Sequence, residues 1–275
     1  MNPAAVIIPV YRFPLSADEE FSLARARSVL GSHSRIFVAP PDLSFPAGFL
    51  QGEKVVRFPR RFFTYPDGYN RLLMTTRFFQ AFEDYTHILI YQLDCLVFRD
   101  ELLDWCEKDF DYVGSPWFEN YIYEYQNSQK WWVGNGGFSL RKTSSALQIL
   151  KSKIPRGAHF PVPPVRFSQT NPVSWLFTNI HHRLKQALSL WTVEDELKNY
   201  GESEDRFWSL DAQRFSSGFR VAPVNEAMLF SIEQFPETCI GLNGGKIPFG
   251  CHAWPKYDRE LWEKAVEHRT LNTEH

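Results

Sequence analysis

An acidic side chain at the end of an apolar run is the first feature of this sequence that could do chemistry. The run at residues 88–91 ends at Gln92 and Asp94, and a second apolar run follows at residues 96–98. The first run has the length and β-branched content of a central parallel strand, and ligands bind at the carboxyl ends of such strands. A carboxylate there is costly unless it is paired, and a divalent cation on a phosphate is a common partner. The alternative is that Asp94 caps a turn by accepting hydrogen bonds from nearby backbone amides.

A glycine-rich stretch, Gly134-Asn135-Gly136-Gly137, comes directly before a predicted strand at residues 137–141. Glycines allow the backbone to approach a ligand closely and to expose its amides. The alternative is a tight turn before an edge strand, because glycine-rich turns are common.

Two adjacent carboxylates, Glu204 and Asp205, follow Ser203 near the start of a predicted helical turn. A carboxylate beside a second carboxylate has its proton affinity raised, which suits a general base. The alternative is N-terminal capping, in which Ser203 or Asp205 bonds the first amides and the helix dipole stabilises the charges.

A late histidine, His252, lies two residues after Gly250 in the stretch PFGCHAW. Neutral imidazole is a common metal ligand, so His252 is a candidate for a metal site. The alternative is a histidine that is simply satisfied in the core or at the surface.

Strands and helices alternate along the first hundred residues. Ser16 and Glu19 form a capping box that begins the first helix, and Gly31 ends it. Alternation of this kind predicts an α/β fold with a parallel, doubly wound sheet. The predicted strands lie at residues 6–10, 35–39, 54–58 and 86–91, and the predicted helices at residues 16–30 and 69–84.

The pattern is looser after Asp94. Thr143 or Ser144 is expected to cap a helix, and an aromatic loop is expected over residues 115–130. The other predicted elements are helices at residues 101–108 and 143–151 and strands at 112–113 and 137–141. Residues 155–191 form a long, irregular segment, and segments of this length are usually functional. An amphipathic helix at residues 175–190 either contacts a membrane surface through its basic side chains or is simply solvated.

Composition limits the classes of partner and compartment. The 275 residues are 44% hydrophobic and carry a net charge of −2, so a full core is expected and a nucleic-acid partner is not. The first residues lack a basic stretch and are predicted to form a strand instead of a signal peptide. The four cysteines show no CxxC spacing and are expected to be reduced thiols, which indicates a cytoplasmic protein.

The order of these motifs along the chain resembles that of the GT-A glycosyltransferases. In particular, the strings YQLDCLVFRDEL, DYVGSPW, VGNGGFSLR and PFGCHAW look like a glycosyltransferase-like family long catalogued as a domain of unknown function. The resemblance extends over residues 6–254 and is weakest over 155–191. It implies a single domain over residues 1–275, with a mixed, mostly parallel sheet flanked by helices. Residues 1–100 would form the nucleotide-sugar half and residues 101–275 the acceptor half, which includes a long irregular segment at 153–191.

The resemblance also assigns roles to residues of the nucleotide-sugar half. Gln92 and Asp94 occupy the first and third places of the DxD motif, so Asp94 would bind a divalent metal, Mn²⁺ or Mg²⁺. The amide of Gln92 departs from the usual Asp and binds a cation more weakly, which puts metal dependence in question. The nucleoside is expected to lie against residues at the first strand end and at the start of the helix before Asp94: Pro9, Val10, Tyr11, Tyr69, Asn70 and Arg71.

In the other half, the loop residues Asn135, Gly136 and Gly137 would line the donor sugar and the acceptor. Glu204 and Asp205 would be the catalytic pair, with Asp205 as the base. His252 would be the C-terminal metal or phosphate ligand.

The function implied is transfer of a hexose from a UDP-sugar to a hydroxyl of a glycan or lipid-linked acceptor, with inversion and with Asp205 as base. Trp117, Trp131 and Trp132 would stack on sugar rings or pack beneath the glycine loop. One alternative is a sugar nucleotidyltransferase, which the lack of glycine after Pro9 and Val10 disfavours. The other is an inactive nucleotide-sugar or glycan-binding module.

Overall fold

The structure is a computed structural model that describes residues 2–64, 66–118, 131–154, 191–198 and 200–272. The strands of this part of the chain are β1 (Asn2–Pro9), β2 (Ser34–Ala39), β3 (Lys54–Arg57), β4 (Tyr85–Tyr91), β5 (Leu96–Val97), β6 (Tyr112–Val113), β7 (Pro116–Phe118), β8 (Trp131–Val133), β9 (Phe138–Lys142), β10 (Ser231–Ile232) and β11 (Gly250–Cys251).

The helices in the same ranges are α1 (Ala17–Val29), α2 (Pro66–Leu72), α3 (Thr76–Gln80), α4 (Leu102–Glu107), α5 (Thr143–Lys151), α6 (Val193–Leu197), α7 (Glu204–Arg206), α8 (Val224–Phe230), α9 (Pro236–Leu242) and α10 (Arg259–Asn272). A 3₁₀ turn, Arg60–Phe62, precedes α2. A π-helical turn, Phe207–Asp211, continues directly from α7.

A six-stranded sheet with the order β3-β2-β1-β4-β9-β6 forms the centre of the described molecule. Strand β1 pairs in parallel with both β2 and β4, whereas β9 pairs antiparallel with β4 and with β6. Residues 5–8 and 88–91 are fully buried, because both faces of a central parallel strand are covered. The mixed, mostly parallel sheet flanked by helices is therefore confirmed.

A smaller sheet connects the C-terminal part of the chain to the end of β4. Its order is β10-β11-β5, and β11 pairs antiparallel with β5, the strand that follows Asp94. The backbone N–H of Trp254 donates to the carbonyl of Asp94 at 3.1 Å. This pairing brings His252, the residue after β11, to the carboxyl end of β4.

The helix predicted over residues 69–84 is wrong in its extent, because two short helices, α2 and α3, occupy this region. Thr75 interrupts them: its backbone is extended and its side chain accepts a hydrogen bond from the N–H of Phe78, as an N-cap does. The threonine cap satisfies the first amides of a new helix and thereby ends the previous one.

Two smaller expectations also fail. Residues 116–118, expected in an aromatic loop, form β7 and pair with β8. Neither Thr143 nor Ser144 caps α5; Lys142 holds the N-cap position without a side-chain bond, because β9 runs directly into the helix. The expected helix at 175–190 and most of the irregular segment lie outside the described residues.

Most aromatic side chains of the described chain belong to the core. Trp208, Trp254 and Trp262 are at most 1% exposed, so they contribute packing and not a stacking surface. No helix of the described residues is long and apolar enough to cross a membrane.

The capping box predicted at the start of α1 is present. The N–H of Glu19 donates to Oγ of Ser16 at 3.2 Å, and the N–H of Ser16 donates to the carboxylate of Glu19 at 2.7 Å. We expect Ser16→Ala to lower the free energy of unfolding by about 1 kcal/mol, because one helix amide loses its partner. Urea denaturation measures this change.

The matched control is Ser28→Ala, which removes an exposed hydroxyl in the same helix and should leave stability nearly unchanged. Equal losses in the two variants would contradict a specific role for the cap.

Candidate active site

A cleft of about 480 Å³ opens at the carboxyl ends of β1 and β4. It lies where ligands bind in sheets of this kind. Its lining residues come from these two strand ends, from α1, from the segment before α2 and from α2 itself: Pro9, Tyr11, Glu19, Phe63, Thr64, Tyr69, Asn70, Gln92, Leu93 and Asp94.

Most of the residues predicted to contact the donor thus lie together. Val10 is one of two exceptions, because its side chain is buried and its N–H is bonded to the carbonyl of Val38. Arg71 lines a second cavity instead of the cleft.

The glycine loop approaches the cleft residues more closely than any side chain would allow. A Cβ on Gly137 would lie 2.2 Å from Nε2 of His252 and 3.0 Å from Oε1 of Gln92. The backbone N–H of Gln92 donates to the carbonyl of Gly137 at 2.9 Å. Asn135 has a φ of 61°, the left-handed conformation that asparagine tolerates. Glycine at position 137 is therefore what lets the loop, the strand end and the imidazole meet.

The same loop contacts the acidic pair. The N–H of Gly136 donates to Oδ2 of Asp205 at 3.2 Å, and Oδ1 of Asp205 accepts from the N–H of Arg206 at 2.9 Å. A Cβ on Gly136 would lie 1.8 Å from Oε1 of Glu204. Asp205 is partly exposed, whereas Glu204 is buried.

Glu204 forms a buried ion pair with Arg141. The two guanidinium nitrogens donate to its two oxygens at 2.7 and 2.8 Å, and each side chain is at most 3% exposed. Burial disfavours the charge of Arg141, but Glu204 outweighs burial and raises the pKa of Arg141.

Burial raises the pKa of Glu204 to about 7, although Arg141 opposes the change. On its own this value would leave the carboxyl partly protonated at neutral pH. We nevertheless take the pair as charged, because protonation would leave Arg141 as an unpaired buried cation. Because Glu204 is paired with Arg141, we interpret it as a residue that positions the loop and Asp205. It is not well placed to take a proton from a substrate.

His252 lies between two carboxylates. Its Nε2 is 3.3 Å from Oδ1 of Asp94, and its Nδ1 is 3.4 Å from Oε1 of Glu233. Burial lowers the pKa of the imidazole, but the neighbouring carboxylates of Asp94 and Glu233 outweigh burial and raise it to about 10. Burial would raise the pKa of Asp94, and His252 lowers it below its usual value.

Asn135 is the third neighbour of this imidazole. Its Nδ2 lies 2.6 Å from Oε2 of Glu233 and 2.8 Å from Nδ1 of His252. An amide donor favours a lone pair on Nδ1, which disagrees with the raised pKa of the ring. One neutral dipole is weaker than two carboxylates, so we take the imidazole as protonated in this arrangement.

A divalent cation fits the Asp94–His252 pair. Nε2 of His252 is buried and has no hydrogen-bond partner among the described residues, and a carboxylate oxygen faces it. Asp94, Cys95 and His252 offer ligand atoms within 4.8 Å of one another. Burial raises the pKa of Cys95, so it remains a thiol and donates to the carbonyl of Gly137. Asp94 and His252 are the two groups that could hold a hard cation, with the ring then neutral.

Two residues of this site were missed by the sequence analysis. Arg141 lies in β9 and looks like an ordinary strand residue, and Glu233 directly follows β10. Arg141 ends the string VGNGGFSLR but was assigned no role there, and Glu233 lies outside the motifs. Their partners are distant in sequence, so only a predicted contact between strand β9 and the Glu-Asp pair could have revealed Arg141.

Tyr69 has an unusual position in the cleft wall. Its hydroxyl is buried without a partner among the described residues, and burial raises the pKa of the phenol, so it stays neutral. A neutral hydroxyl in a cleft wall can donate to a bound ligand.

Two of the three candidate stacking tryptophans pack on each other and on the loop. The ring of Trp117 lies against Gly134, where a Cβ would be 2.6 Å from it, and it meets Trp132 edge to face at 6.2 Å. The geometry of Trp117 therefore agrees with the packing interpretation. The side chain of Trp131 lies outside the described structure.

Residues 52–252 match the family described as Protein of unknown function (DUF5672), and the chain belongs to this family. The match covers the strand end at Asp94, the glycine loop, the Glu-Asp pair and His252. No curated protein matches the sequence.

Several solved structures are similar over nearly the whole chain. The apo-form glycosyltransferase GlyE of Streptococcus pneumoniae TIGR4 is 11% identical, with a TM-score of 0.46, 96% of this chain covered and 60% of that one. This chain thus spans less than two thirds of GlyE. The galactosyltransferase LgtC, in complex with donor and acceptor sugar analogs, is 12% identical, with a TM-score of 0.49 and coverages of 97% and 94%.

A glycosyltransferase involved in glycosylation of the major capsid of PBCV-1 is 10% identical, with a TM-score of 0.39 and coverages of 98% and 100%. At these TM-scores the similarities carry no argument about this chain.

The buried Arg141–Glu204 pair depends on glycine at position 136. We expect Gly136→Ala to lower the free energy of unfolding by about 3–5 kcal/mol, because the new methyl group displaces Glu204 and breaks the pair. Urea denaturation followed by far-UV circular dichroism measures the loss.

Gly241→Ala is the matched control, because a Cβ there meets nothing within 4 Å and the position is helical. It should change stability by less than about 1 kcal/mol. A Gly136→Ala protein as stable as the wild type would show that the loop does not hold the pair.

Proposed function

We propose that this protein is a glycosyltransferase that moves a hexose from a UDP-sugar to a hydroxyl of a glycan or lipid-linked acceptor. One observation carries the proposal. A cleft of about 480 Å³ at two parallel strand ends is lined by Asp94, whose carboxylate faces the imidazole of His252. The adjacent glycine loop contacts a second, partly exposed carboxylate, Asp205. Sugar transfer needs a group at the leaving diphosphate and a base at the acceptor, and this site offers both.

The nucleoside would occupy the wall formed by the end of β1 and by α2. Tyr11 is 50% exposed at the mouth of the cleft, where its ring offers a stacking surface to a base. Asn70 and the unpartnered hydroxyl of Tyr69 offer hydrogen bonds in the same wall. The described wall has no glycine-rich phosphate loop after β1, which disfavours nucleotidyl transfer.

Asp94 and His252 would hold a divalent cation, Mn²⁺ or Mg²⁺. Such a cation supplies charge stabilisation to a leaving diphosphate. The imidazole of His252 lies 3.3 Å from Asp94, at the place where the cation would act. Gln92 lines the cleft beside Asp94 and offers a neutral oxygen, a weaker ligand than the carboxylate it replaces.

Asp205 is proposed as the base that takes the acceptor proton. The other carboxylates near the cleft are engaged by cationic side chains or an imidazole: Glu19 by Arg12, Asp94 and Glu233 by His252, and Glu204 by Arg141. Asp205 accepts from two backbone amides, which fix its orientation and leave lone pairs free. One positioned base favours a single displacement with inversion.

A hydrolysis and transfer assay over a panel of nucleotide sugars, with and without manganese, tests the proposal. Metal-dependent release of the nucleoside diphosphate supports transfer. Release of pyrophosphate from a nucleoside triphosphate would indicate a nucleotidyltransferase. Binding without turnover of any sugar nucleotide would indicate an inactive module.

The proposed cation site predicts a specific binding defect. Asp94→Asn should abolish the manganese-dependent part of UDP affinity, because an amide is a much weaker ligand for a hard cation than a carboxylate. Calorimetric titration of UDP with manganese and then with EDTA separates the two contributions.

Asp104→Asn is the control, because this carboxylate lies in α4 away from the residues that line the cleft. An unchanged metal-dependent affinity in Asp94→Asn would remove Asp94 from the cation site.

The proposed base predicts a kinetic defect. Asp205→Asn should lower the catalytic rate by ~10²–10⁴-fold while donor affinity stays close to wild type, because a base acts on the acceptor proton in the transition state. Steady-state transfer rates and UDP affinity, measured on the same preparation, test this split.

The asparagine keeps an oxygen for the amide of Gly136, so the loop should remain in place. If donor affinity is lost and turnover at saturation survives, Asp205 is a binding residue and not the base.

A further inference from the structure

A second cavity, of about 310 Å³, lies between the Arg60–Phe62 turn, α2, α3 and α6. Four cationic side chains line it, Arg61, Arg71, Arg77 and Lys198, together with a single carboxylate, Glu194. The chain as a whole has a net charge of −2, so this concentration of positive charge is local.

Among the described residues, the arginines of this cavity have no anionic partners of their own. Within the described ranges, Arg61, Arg71 and Arg77 form no ion pair, whereas Lys198 contacts Asp195 at 2.7 Å. Glu194 accepts a hydrogen bond from the hydroxyl of Thr76 at 2.7 Å. Like charges gathered at one cavity repel one another, and a bound anion would relieve the repulsion.

The chemistry of the lining favours a phosphate group. Guanidinium groups present flat, forked donors that match phosphate oxygens, and such charge-assisted hydrogen bonds are strong. Apolar side chains, including Met74 and Leu197, complete the lining and exclude water from one side. A single carboxylate has too few oxygens and too little negative charge to pair with three guanidinium groups. A phosphate group offers more of both.

The cavity is separate from the donor cleft but shares a wall with it. The segment from the Arg60–Phe62 turn through α2 stands between them. Phe63 and Asn70 line the cleft, whereas their sequence neighbours Phe62 and Arg71 line the basic cavity. A molecule that reaches from one to the other would pass over this segment.

We propose that the basic cavity binds a phosphate ester group and that this phosphate belongs to the acceptor. Assignment to the acceptor rests on the proposed glycosyltransferase function, but phosphate binding itself does not. The acceptor class is then a phosphorylated sugar or a lipid phosphate whose hydroxyl reaches the donor cleft.

Calorimetric titration of inorganic pyrophosphate into the full chain, in EDTA and at low ionic strength, tests the site without activity. The wild type should bind, and Arg71→Gln and Arg77→Gln should each weaken binding by about 10-fold or more, because each removes charge-assisted hydrogen bonds. Arg60→Gln is the matched control: Arg60 is adjacent and exposed, but it pairs with Asp42 at 2.8 Å and does not line the cavity.

Three results would overturn the proposal: no binding by the wild type, an equal loss in Arg60→Gln, or retained binding in both cavity variants.

Sedimentation with phosphatidylcholine vesicles, with and without phosphatidylglycerol, identifies the source of the phosphate. Binding to the anionic vesicles that is lost in Arg71→Gln supports a lipid phosphate. Pyrophosphate binding without vesicle binding supports a soluble phosphorylated acceptor. Absence of UDP binding would contradict the glycosyltransferase proposal and leave the phosphate site standing.

Discussion

The backbone of Gly136 and Gly137 fills the space between Glu204 on one side and His252 on the other, and neither position has room for a Cβ. This close approach holds three distant parts of the chain together: the end of β4, the α7 turn and the segment after β11. Gly136 and Gly137 meet them through backbone groups, and the side chain of Asn135 adds contacts with Glu233 and His252.

Charges around the loop are balanced locally. Arg141 neutralises Glu204 beneath the loop, and the imidazole of His252 lies between Asp94 and Glu233. A cluster of unpaired carboxylates at this depth would be strongly destabilising. These five groups contact one another, whereas the described hydrogen bonds of Asp205 come from the backbone amides of Gly136 and Arg206. The electrostatics of the site thus distinguish carboxylates that are engaged by cationic side chains or an imidazole from Asp205, which is held by backbone amides.

The sheet supplies the rigidity that this arrangement requires. Strands β1 and β4 are buried on both faces, and the cleft opens where they end. Rigid strand ends position side chains more precisely than free loops do. On the outer side of α2, three arginines without carboxylate partners in the described chain gather around a second cavity. The cleft and the basic cavity, which differ in chemistry, therefore share one short helix, α2.

Local sequence determined the parallel strands and the start of α1. The signals for them, continuous apolar runs and the Ser16–Glu19 capping box, are formed by residues that lie close together in the sequence. The motif order also singled out Asp94, Asn135, Asp205 and His252 before their contacts were known. Tertiary structure alone decided their partners. Arg141 meets Glu204 across 63 residues and Asn135 meets Glu233 across 98, and no local pattern encodes pairs so distant. The break between α2 and α3 coincides with a local signal, the N-cap of Thr75, which the helical spacing of the apolar residues concealed.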